Sequence, residues 1–436
     1  MKATFWLTLG SRLLIDVRRR RLAHHIRGSV LGIGLSLIPL IVVLEVSDGM
    51  IEGITNRFLE IGTYHLQVHF WEELDIERLE ALTEQIGNIP GVREVFVERQ
   101  GVGLLHAGGR RYGVTVRAVP AELYSRDPGF DTYFDFVSGN FDLQQQGSIL
   151  VGRGVAEKIG ITIGDRVLLL TAARRPGGAA AFAATPLTVR GVFSSGYQEL
   201  DLLWAYIPLE LGQRVLKEGN AEQFIAVKVQ DPFAELSTFA AAIRDVLPLR
   251  VQIYTWYELQ YNRYKTYKTV RLLLIFIMGL VVVVASVNIS SAMVMIVLEK
   301  GQEIGMLRSM GAAREAVKAA FVFCGFAVGT VGSVVGIVLG LFISVNINEV
   351  IAALEMTANI AVQITASALS LLIDIAEPAA VEFFDSAYYL ERIPVRLRPL
   401  QLLVVAALTA VMSAAAAYLP ARRAAQLTPL EVIRKY

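Results

Sequence analysis

Two long uncharged segments, residues 272–298 and 319–348, flank the charged sequence Glu299-Lys-Gly-Gln-Glu-Ile-Gly-Met-Leu-Arg-Ser-Met-Gly-Ala-Ala-Arg-Glu-Ala-Val-Lys318. Each segment is longer than the roughly 20 apolar residues that an α-helix needs to cross a bilayer core. The charged sequence between them consists mostly of residues that favour helices, and its charges exclude it from that core. The pattern predicts a membrane hairpin with a short helix at its tip.

The sequence predicts four transmembrane helices, at residues 28–48, 269–298, 319–348 and 398–421. Three short flanking segments are rich in Lys and Arg: residues 1–27, 299–318 and 422–436. Because basic residues in short flanking segments favour the cytoplasmic side, we expect these segments and both termini to lie in the cytoplasm. Segments 49–268 and 349–397 then lie on the outer side.

One further uncharged segment, residues 356–373, tests this topology. Its polar residues recur at spacings of three and four, which places them on one helical face. A fifth crossing would also move the basic C-terminal end of the chain to the outer side, against the charge bias. We therefore expect an amphipathic helix that does not cross the membrane.

The outer segment 49–268 is mixed enough in polarity to form a large folded domain. Two parts of it repeat the order strand, helix, strand: residues 64–70, 75–86 and 92–98, then 224–229, 232–246 and 251–255. Two such halves close one sheet in the split βαβ manner of porter-like domains. The part between them, residues 120–220, is predicted to be an inserted β-rich subdomain. The predicted fold is an integral membrane α-helical protein with a large α+β periplasmic domain.

A long loop is predicted within the β-rich part, at residues 172–186. It contains a basic pair, an aromatic residue and two prolines: Arg174, Arg175, Pro176, Phe182 and Pro186. Long loops held by rigid strands often bind partners, and this loop is too long for a tight hairpin turn. The alternative is a flexible surface loop without function.

Composition argues against several classes of function. Apolar residues make up 54% of the chain, and the net charge of +1 gives no reason to expect a nucleic-acid partner. No Gly-x-x-x-x-Gly-Lys-Ser/Thr motif is present, so the chain lacks the loop that cradles ATP phosphates. The five His and the single Cys show no metal-ligand spacing, and no catalytic nucleophile motif occurs. We expect no catalytic, metal or cofactor site.

Residues 299–312 read Glu-Lys-x-x-Glu-Ile-x-x-Leu-Arg-x-Met-Gly-Ala, and this signature resembles permeases of the LolC/LolE type. Those are lipoprotein-releasing ABC transporter subunits within the wider FtsX/MacB-like group. Further stretches that resemble them are residues 28–49, 152–165, 194–208 and 384–394, the last leading into Tyr418-Leu-Pro-Ala-Arg-Arg423. The likeness covers most of the chain, although segment 356–373 looks like an insertion.

The resemblance implies an ATP-driven machine that extracts acylated lipoproteins from the bacterial inner membrane and passes them to a periplasmic carrier. The implied partners are a LolD-like ATPase that binds ATP and Mg²⁺, a second permease subunit in a homo- or heterodimer, a LolA-like carrier, the lipoprotein substrate and membrane lipid. In such permeases the hairpin tip binds the ATPase, which corresponds here to Glu299, Lys300, Glu303, Ile304, Leu307, Arg308, Met310 and Gly311. A protruding loop, the hook, binds the carrier, and loop 172–186 occupies its place.

Other interpretations stay open from the sequence. The tip, with its apolar ridge of Ile304, Leu307 and Met310, is alternatively an idle amphipathic turn on lipid headgroups. A MacB-like efflux permease for a small amphiphile or peptide is a second function, although such pumps usually carry their ATPase on the same chain. An FtsX-like regulator of an outer enzyme is a third, although it usually lacks the subdomain at residues 152–165.

Small and acidic residues mark two of the spans. A face of nearly bare backbone on the third span lets another helix approach closely. It consists of Gly325, Gly329, Gly332, Gly336 and Gly340. We expect packing within the chain, with a dimer seam as the alternative.

Glu45 and Asp48 end the first span, and we interpret them as interfacial residues rather than a proton relay because no partner within the membrane is evident.

Overall fold

The computed structural model describes residues 15–16, 21–22, 24–72, 74–174, 180–217, 221–247, 250–299, 301–370 and 393–426. The chain forms two compact units. The helical unit contains residues 1–49, 267–365 and 394–436, and the globular unit contains residues 50–266 and 366–393. Much of the predicted basic segment 1–27, and residues 427–436 of the predicted C-terminal tail, lie outside the described residues.

The described N-terminal part leads into one long helix. Two short strands, β1 (Ile15–Asp16) and β2 (Arg21–Leu22), pair antiparallel. Helix α1 (His24–Arg57) follows, and it contains the predicted first span, residues 28–48. It passes directly into a π-helical turn, Phe58–Gly62, most of which is buried.

The strands of the globular unit form one sheet. They are β3 (Leu66–Phe70), β4 (Val92–Ala107), β5 (Arg110–Val119), β6 (Asp135–Gly139), β7 (Ser148–Gly152), β8 (Arg166–Arg174), β9 (Ala180–Ser194), β10 (Trp204–Pro208), β11 (Ala221–Val229) and β12 (Val251–Thr255). At one end the order is β12-β3-β11-β4, and these neighbours are all antiparallel. This order is that of a split βαβ core, so the predicted core is confirmed.

Two amphipathic helices connect the core strands. The helices of the globular unit are α2 (Ile76–Gly87), α3 (Leu123–Arg126), α4 (Pro128–Tyr133), α5 (Arg153–Ile159), α6 (Gln198–Asp201), α7 (Leu209–Val215), α8 (Leu236–Val246) and α9 (Trp256–Leu259). Helix α2 joins β3 to β4, and α8 joins β11 to β12, as the repeat predicts. Leu79, Leu82 and Ile86 of α2 recur at helical spacing and lie in the buried core with residues of the strands.

The other strands close a ring with the core. Within the described residues, the pairings run β4-β5-β10-β7-β9-β8 and return to β4. Strands β7 and β10 are buried along their whole length, as strands covered on both faces are. The prediction of a separate subdomain at residues 120–220 is therefore wrong in its boundary. The reason is the length of β4, which pairs with β11 in its first half and with β8 in its second.

A buried arginine fixes the π-helical turn to the sheet. Arg117 donates hydrogen bonds to the backbone carbonyls of Ile61 and Gly62 at 2.6 and 2.8 Å. Its Nε donates to Glu98 Oε1 at 2.6 Å, and Tyr64 Oη donates to the same carboxylate at 2.5 Å. A buried ion pair of this kind needs its hydrogen bonds, because an unpaired charge in its place would cost several kcal/mol.

A second polar cluster lies beside the start of β3. Lys228 Nζ, which is fully buried, donates to the Asp127 carboxylate and to Glu60 Oε2, the latter at 3.0 Å. His65 is also fully buried, and its Nδ1 accepts a hydrogen bond from the Val229 backbone N–H at 2.8 Å. That bond requires Nδ1 to be unprotonated. Burial lowers the pKa of His65 below its usual range, and the nearby Glu60 offsets this only in part.

The helical unit contains the membrane spans. Its further helices are α10 (Tyr261–Glu299), α11 (Gly301–Ser309), α12 (Arg314–Val345), α13 (Ile347–Ser370) and α14 (Pro399–Gln426). Among the described residues, α1, α10, α12 and α14 each contain a stretch long and apolar enough to cross a membrane. The prediction of four spans is confirmed, and α11 forms the tip between the second and third spans.

Helix α13 differs in extent from its prediction. The sequence predicts a helix at residues 356–373, whereas the described helix begins at Ile347, with only Asn346 between it and the end of α12. Residues 347–355 are rich in Ile, Ala, Leu and Glu, and helix propensity extends the element toward the N-terminus. Residues 371–373 lie outside the described residues.

The neutral His65 predicts a pH dependence of stability. Because burial holds the pKa of His65 in the folded chain below its ordinary value of 6.5, the unfolded chain binds a proton first as the pH falls. The contribution of His65 to the free energy of unfolding is therefore present above pH 6.5. It is lost as the pH falls below 6.5, by at most about 1.4 kcal/mol per pH unit for one group. His65→Asn keeps an acceptor for the Val229 N–H and removes this titration. We expect thermal unfolding of the purified protein between pH 8 and 5 to depend less on pH in this variant.

The pH dependence of the unfolding temperature should weaken in His65→Asn rather than vanish, because burial also lowers the pKa of His69. The control is His106→Asn, which changes a histidine bonded at the surface to the Arg110 carbonyl. Equal slopes in His65→Asn and the unchanged protein would contradict the assignment.

Candidate coupling and carrier-binding sites

Helix α11 is a separate element at the tip of the hairpin. Glu299 is the last residue of α10, and α11 begins at Gly301 after Lys300, which lies outside the described residues. Gly311, with φ of 94°, ends the turn that follows. A left-handed conformation of this kind favours glycine after a helix, so the sequence Met-Gly at the end of the signature has a local structural cause.

The two sides of α11 have different environments. Ile304 is 2% exposed and belongs to the buried cluster of the helical unit, whereas Met306 and Met310 are 59% and 77% exposed. The predicted ridge of Ile304, Leu307 and Met310 is therefore wrong for Ile304, which faces the bundle. The side chain of Leu307 lies outside the described part. Sequence spacing alone missed Met306, because it does not indicate which side of a short helix the bundle covers.

Arg308 connects α11 to the last span. Its Nη1 donates a hydrogen bond to the backbone carbonyl of Ala425 at 2.7 Å, in the last turn of α14. A cation at this position satisfies a terminal carbonyl and interacts favourably with the helix dipole. Arg308 thus anchors the tip to α14. Glu303 lies on the exposed side of α11.

The predicted loop 172–186 is in fact a β-ribbon. Strands β8 and β9 remain paired from Arg166 opposite Thr188 out to Arg174 opposite Ala180. The prediction of an irregular loop is wrong because alanine and arginine, which favour strands weakly, occupy the ribbon, and cross-strand pairing overrides that preference. Only the short connection at residues 175–179 is not described.

The predicted carrier-binding residues occupy different parts of this ribbon. Phe182 pairs with Ala172 near the end of the ribbon and is 70% exposed. Pro186 pairs with Leu168 at its base, and Arg174 ends β8. Arg175 and Pro176 lie outside the described residues. Phe182 is thus a large, exposed apolar side chain near the end of a pair of strands.

The glycine face of α12 packs on two helices of the same chain. A Cβ atom at Gly325 would lie 2.4 Å from Cβ of Ala417, and one at Gly329 would lie 2.4 Å from Oγ of Ser413. Three further glycines, Gly332, Gly336 and Gly340, make the same close approach to α1, at distances of 2.7 to 2.9 Å from Ile33, Leu37 and Ile41. Helix α14 therefore covers the first part of this face, and α1 covers the part that follows.

Asp48 holds the ends of three spans, which sequence reasoning missed. Its carboxylate lies 2.9 Å from Nε and accepts a hydrogen bond from Nη2 of Arg271 at 3.0 Å. Nη1 of Arg398 lies 3.6 Å from the same carboxylate. Asp48 is 4% exposed. The ion partners of Asp48, Arg271 and Arg398, were not predicted because both are distant from it in sequence. Glu45 is also buried, one turn earlier in α1.

Comparison with protein-family models assigns both parts of the chain. The model described as MacB-like periplasmic core domain matches residues 28–246, which is half of the chain. The model described as FtsX-like permease C-terminal matches residues 275–376, which include α11 and α12. This chain belongs to the FtsX/MacB-like permeases. It is accordingly a permease subunit of an ABC transporter.

The permease is similar to proteins of lipoprotein-releasing systems. Lipoprotein-releasing system transmembrane protein LolE of Haemophilus influenzae is 25% identical over 94% of each chain. The corresponding LolC protein of Neisseria meningitidis is 24% identical over 93% of each chain. A crystal structure of the periplasmic region of MacB from Actinobacillus actinomycetemcomitans covers 49% of this chain and 94% of that one, at 14% identity and a TM-score of 0.31.

Within the described ranges of the permease, no group of three or more His, Cys, Asp and Glu side chains is placed to hold a metal ion. Cys324 is buried in α12. The candidate functional residues lie at three separate places, which are the tip helix α11, the ribbon and the Asp48 cluster.

The Asp48 cluster predicts non-additive losses of stability. Asp48→Asn leaves Arg271 without its charged partner, and we expect a loss of about 1–3 kcal/mol, between the values for exposed and buried pairs. Arg271→Gln should have a similar effect, and the double variant should lose less than the sum because the pair is shared. Thermal unfolding of the permease in detergent measures all three. The control is Glu157→Gln, which breaks an exposed ion pair with Arg153. Strict additivity of the two changes would refute the pairing.

Proposed function

We propose that this permease transmits the work of a separate ATPase to the extraction of lipoproteins from the bacterial inner membrane, and passes them to a periplasmic carrier. The observation that carries the proposal is the two-sided environment of α11. One side, with Met306 and with Met310 directly after the helix, is exposed, and the other is anchored in the bundle by Ile304 and Arg308. A helix with this arrangement receives a partner on one side and moves the spans with the other.

The ATPase is the partner that fits this exposed side. The chain has no phosphate-binding loop of its own, so ATP and Mg²⁺ belong to another subunit. Methionine side chains are flexible and polarisable, and they suit an apolar contact that has to adapt during a cycle. Arg308 carries a displacement of α11 to α14, and Ile304 carries it to the buried cluster that includes α1 and α12.

The carrier is proposed to bind at the ribbon. Phe182 is an aromatic side chain held far out on paired strands, so little conformational entropy is lost when a partner covers it. The similarity to lipoprotein-releasing proteins, together with the hook in this position of the LolC/LolE-type permeases, supports a LolA-like carrier as that partner.

The topology follows from the charge bias. Basic residues in segments 1–27, 299–318 and 422–436 favour a cytoplasmic position, which puts both termini and α11 on the side of the ATPase. The globular unit then lies in the periplasm. A second permease subunit, identical or related, completes the transporter in this proposal.

A lipid-anchored substrate fits the surface of the spans. Many large apolar side chains of α10 and α14 are exposed, among them Phe276, Leu400 and Leu403. Acyl chains gain about 0.8 kcal/mol per buried CH₂, so an extracted lipoprotein needs continuous apolar shelter between membrane and carrier. In this proposal the lipoprotein is taken up laterally along the spans and is then transferred to the carrier at the ribbon.

The coupling role of α11 is tested at its exposed methionines. Met306→Asp with Met310→Asp places two charges in the proposed contact, and we expect loss of ATPase co-purification and of lipoprotein release, because unpaired charge at an interface costs several kcal/mol. The matched control, Met306→Leu with Met310→Leu, keeps the apolar surface and should behave almost normally. Normal ATPase binding and release by the aspartate variant would exclude this side of α11 as the docking surface.

The role of the ribbon is tested at Phe182. Phe182→Ser removes an exposed anchor without disturbing the core, and we expect carrier binding to weaken by about 30-fold, equivalent to about 2 kcal/mol. The control is Val137→Ser, a comparable exposed change in β6. A carrier-binding assay on the purified transporter measures both, and unfolding temperatures should not differ. If both variants bind the carrier as the unchanged protein does, the ribbon is not its docking site.

A further inference from the structure

The Asp48 cluster lies where the spans meet the membrane surface. Arg271 directly precedes the uncharged segment 272–298, and Arg398 directly precedes α14 (Pro399–Gln426). Helix α10 has 39 residues, about 58 Å at 1.5 Å per residue, so its first turns extend beyond a hydrocarbon core of about 30 Å. Both guanidinium groups are therefore at the depth of lipid headgroups.

The two arginines are held in place yet remain accessible. Asp48 is 3% exposed at its side chain, whereas the side chains of Arg271 and Arg398 are 33% and 47% exposed. Glu45, 2% exposed, lies one turn before Asp48 on α1. Gly49 allows the segment that precedes α14 to approach, because a Cβ there would lie 1.8 Å from the carbonyl oxygen of Pro394.

An apolar surface continues from each arginine into the membrane. On α10, Leu273 and Ile277 are 55% and 43% exposed. On α14, Leu400 and Leu403 are 75% and 67% exposed. A pair of cationic groups above two exposed apolar stripes is complementary to a phospholipid. The cations match its anionic headgroup, and the stripes match its two acyl chains.

We propose that Arg271 and Arg398 bind the phosphate of a membrane phospholipid whose acyl chains lie along α10 and α14. Arginine is suited to this contact because its planar guanidinium donates in a fork that matches phosphate oxygens. Asp48 orients both side chains from within the bundle, so less side-chain entropy is lost on binding. The site is independent of the proposed coupling and carrier contacts.

The test uses the purified full-length permease in detergent. Dioleoylphosphatidylglycerol is added at rising concentration, and the midpoint of thermal unfolding is followed. We expect saturable stabilisation whose apparent affinity falls about tenfold in Arg398→Gln, as for one charge-assisted hydrogen bond. Arg398 is chosen because its contact with Asp48 is the longer one, at 3.6 Å, so the Arg271 pair survives the change. The control is Arg153→Gln, in which an exposed arginine of the globular unit is lost.

Two further probes separate the sources of the effect. Dioleoylglycerol has the same chains without phosphate, and inorganic phosphate has the anion without chains; neither should reproduce the stabilisation. Equal stabilisation by dioleoylglycerol would reduce the site to an apolar surface and overturn the proposal. Equal stabilisation by inorganic phosphate would make it a free-anion site, with the same consequence. An unchanged phosphatidylglycerol affinity in Arg398→Gln would overturn it as well.

Discussion

The close approach of two helices to the bare backbone of α12 is the constraint on which the helical unit depends. At Gly325 and Gly336, for example, a single added carbon atom would overlap α14 or α1. Side chains of ordinary size would push these helices apart and open the buried cluster that contains Ile304. Because packed cores change between discrete arrangements rather than deform continuously, a displacement of the hairpin tip has to move whole helices.

Buried charge serves a different purpose in the globular unit. Arg117 and Lys228 are both fully buried, and each holds the π-helical turn Phe58–Gly62, one through its carbonyls and the other through Glu60. Such pairs are a weak source of stability, since desolvation offsets much of their attraction. Their partners are specific, however, and an apolar contact would allow the turn to slide. The charges therefore fix the position at which helix α1 ends and the sheet begins.

The predicted and observed features differ in a consistent physical way. Regularities within one element, such as uncharged length and alternation, correctly predicted the four spans and the split βαβ core. Features that depend on distant partners were not predictable: the ribbon at 172–186 needs cross-strand pairing, and Asp48 needs Arg271 and Arg398, which are far along the chain. For the same reason the periodicity of α11 did not show that Ile304 faces inward and Met306 outward.

The order of the core strands also has a mechanical consequence. The chain passes from α1 into β3 and leaves β12 toward α10, and these two strands are neighbours, with Leu66 opposite Thr255. The points of attachment are thus at the same end of one antiparallel pair. A tension that separated the two attached helices would load the hydrogen bonds of this pair one after another, as in unzipping, and not all together, as in shear. The hydrogen bond from the Trp256 N–H to the His65 carbonyl, at 3.0 Å, would be the first to bear that load.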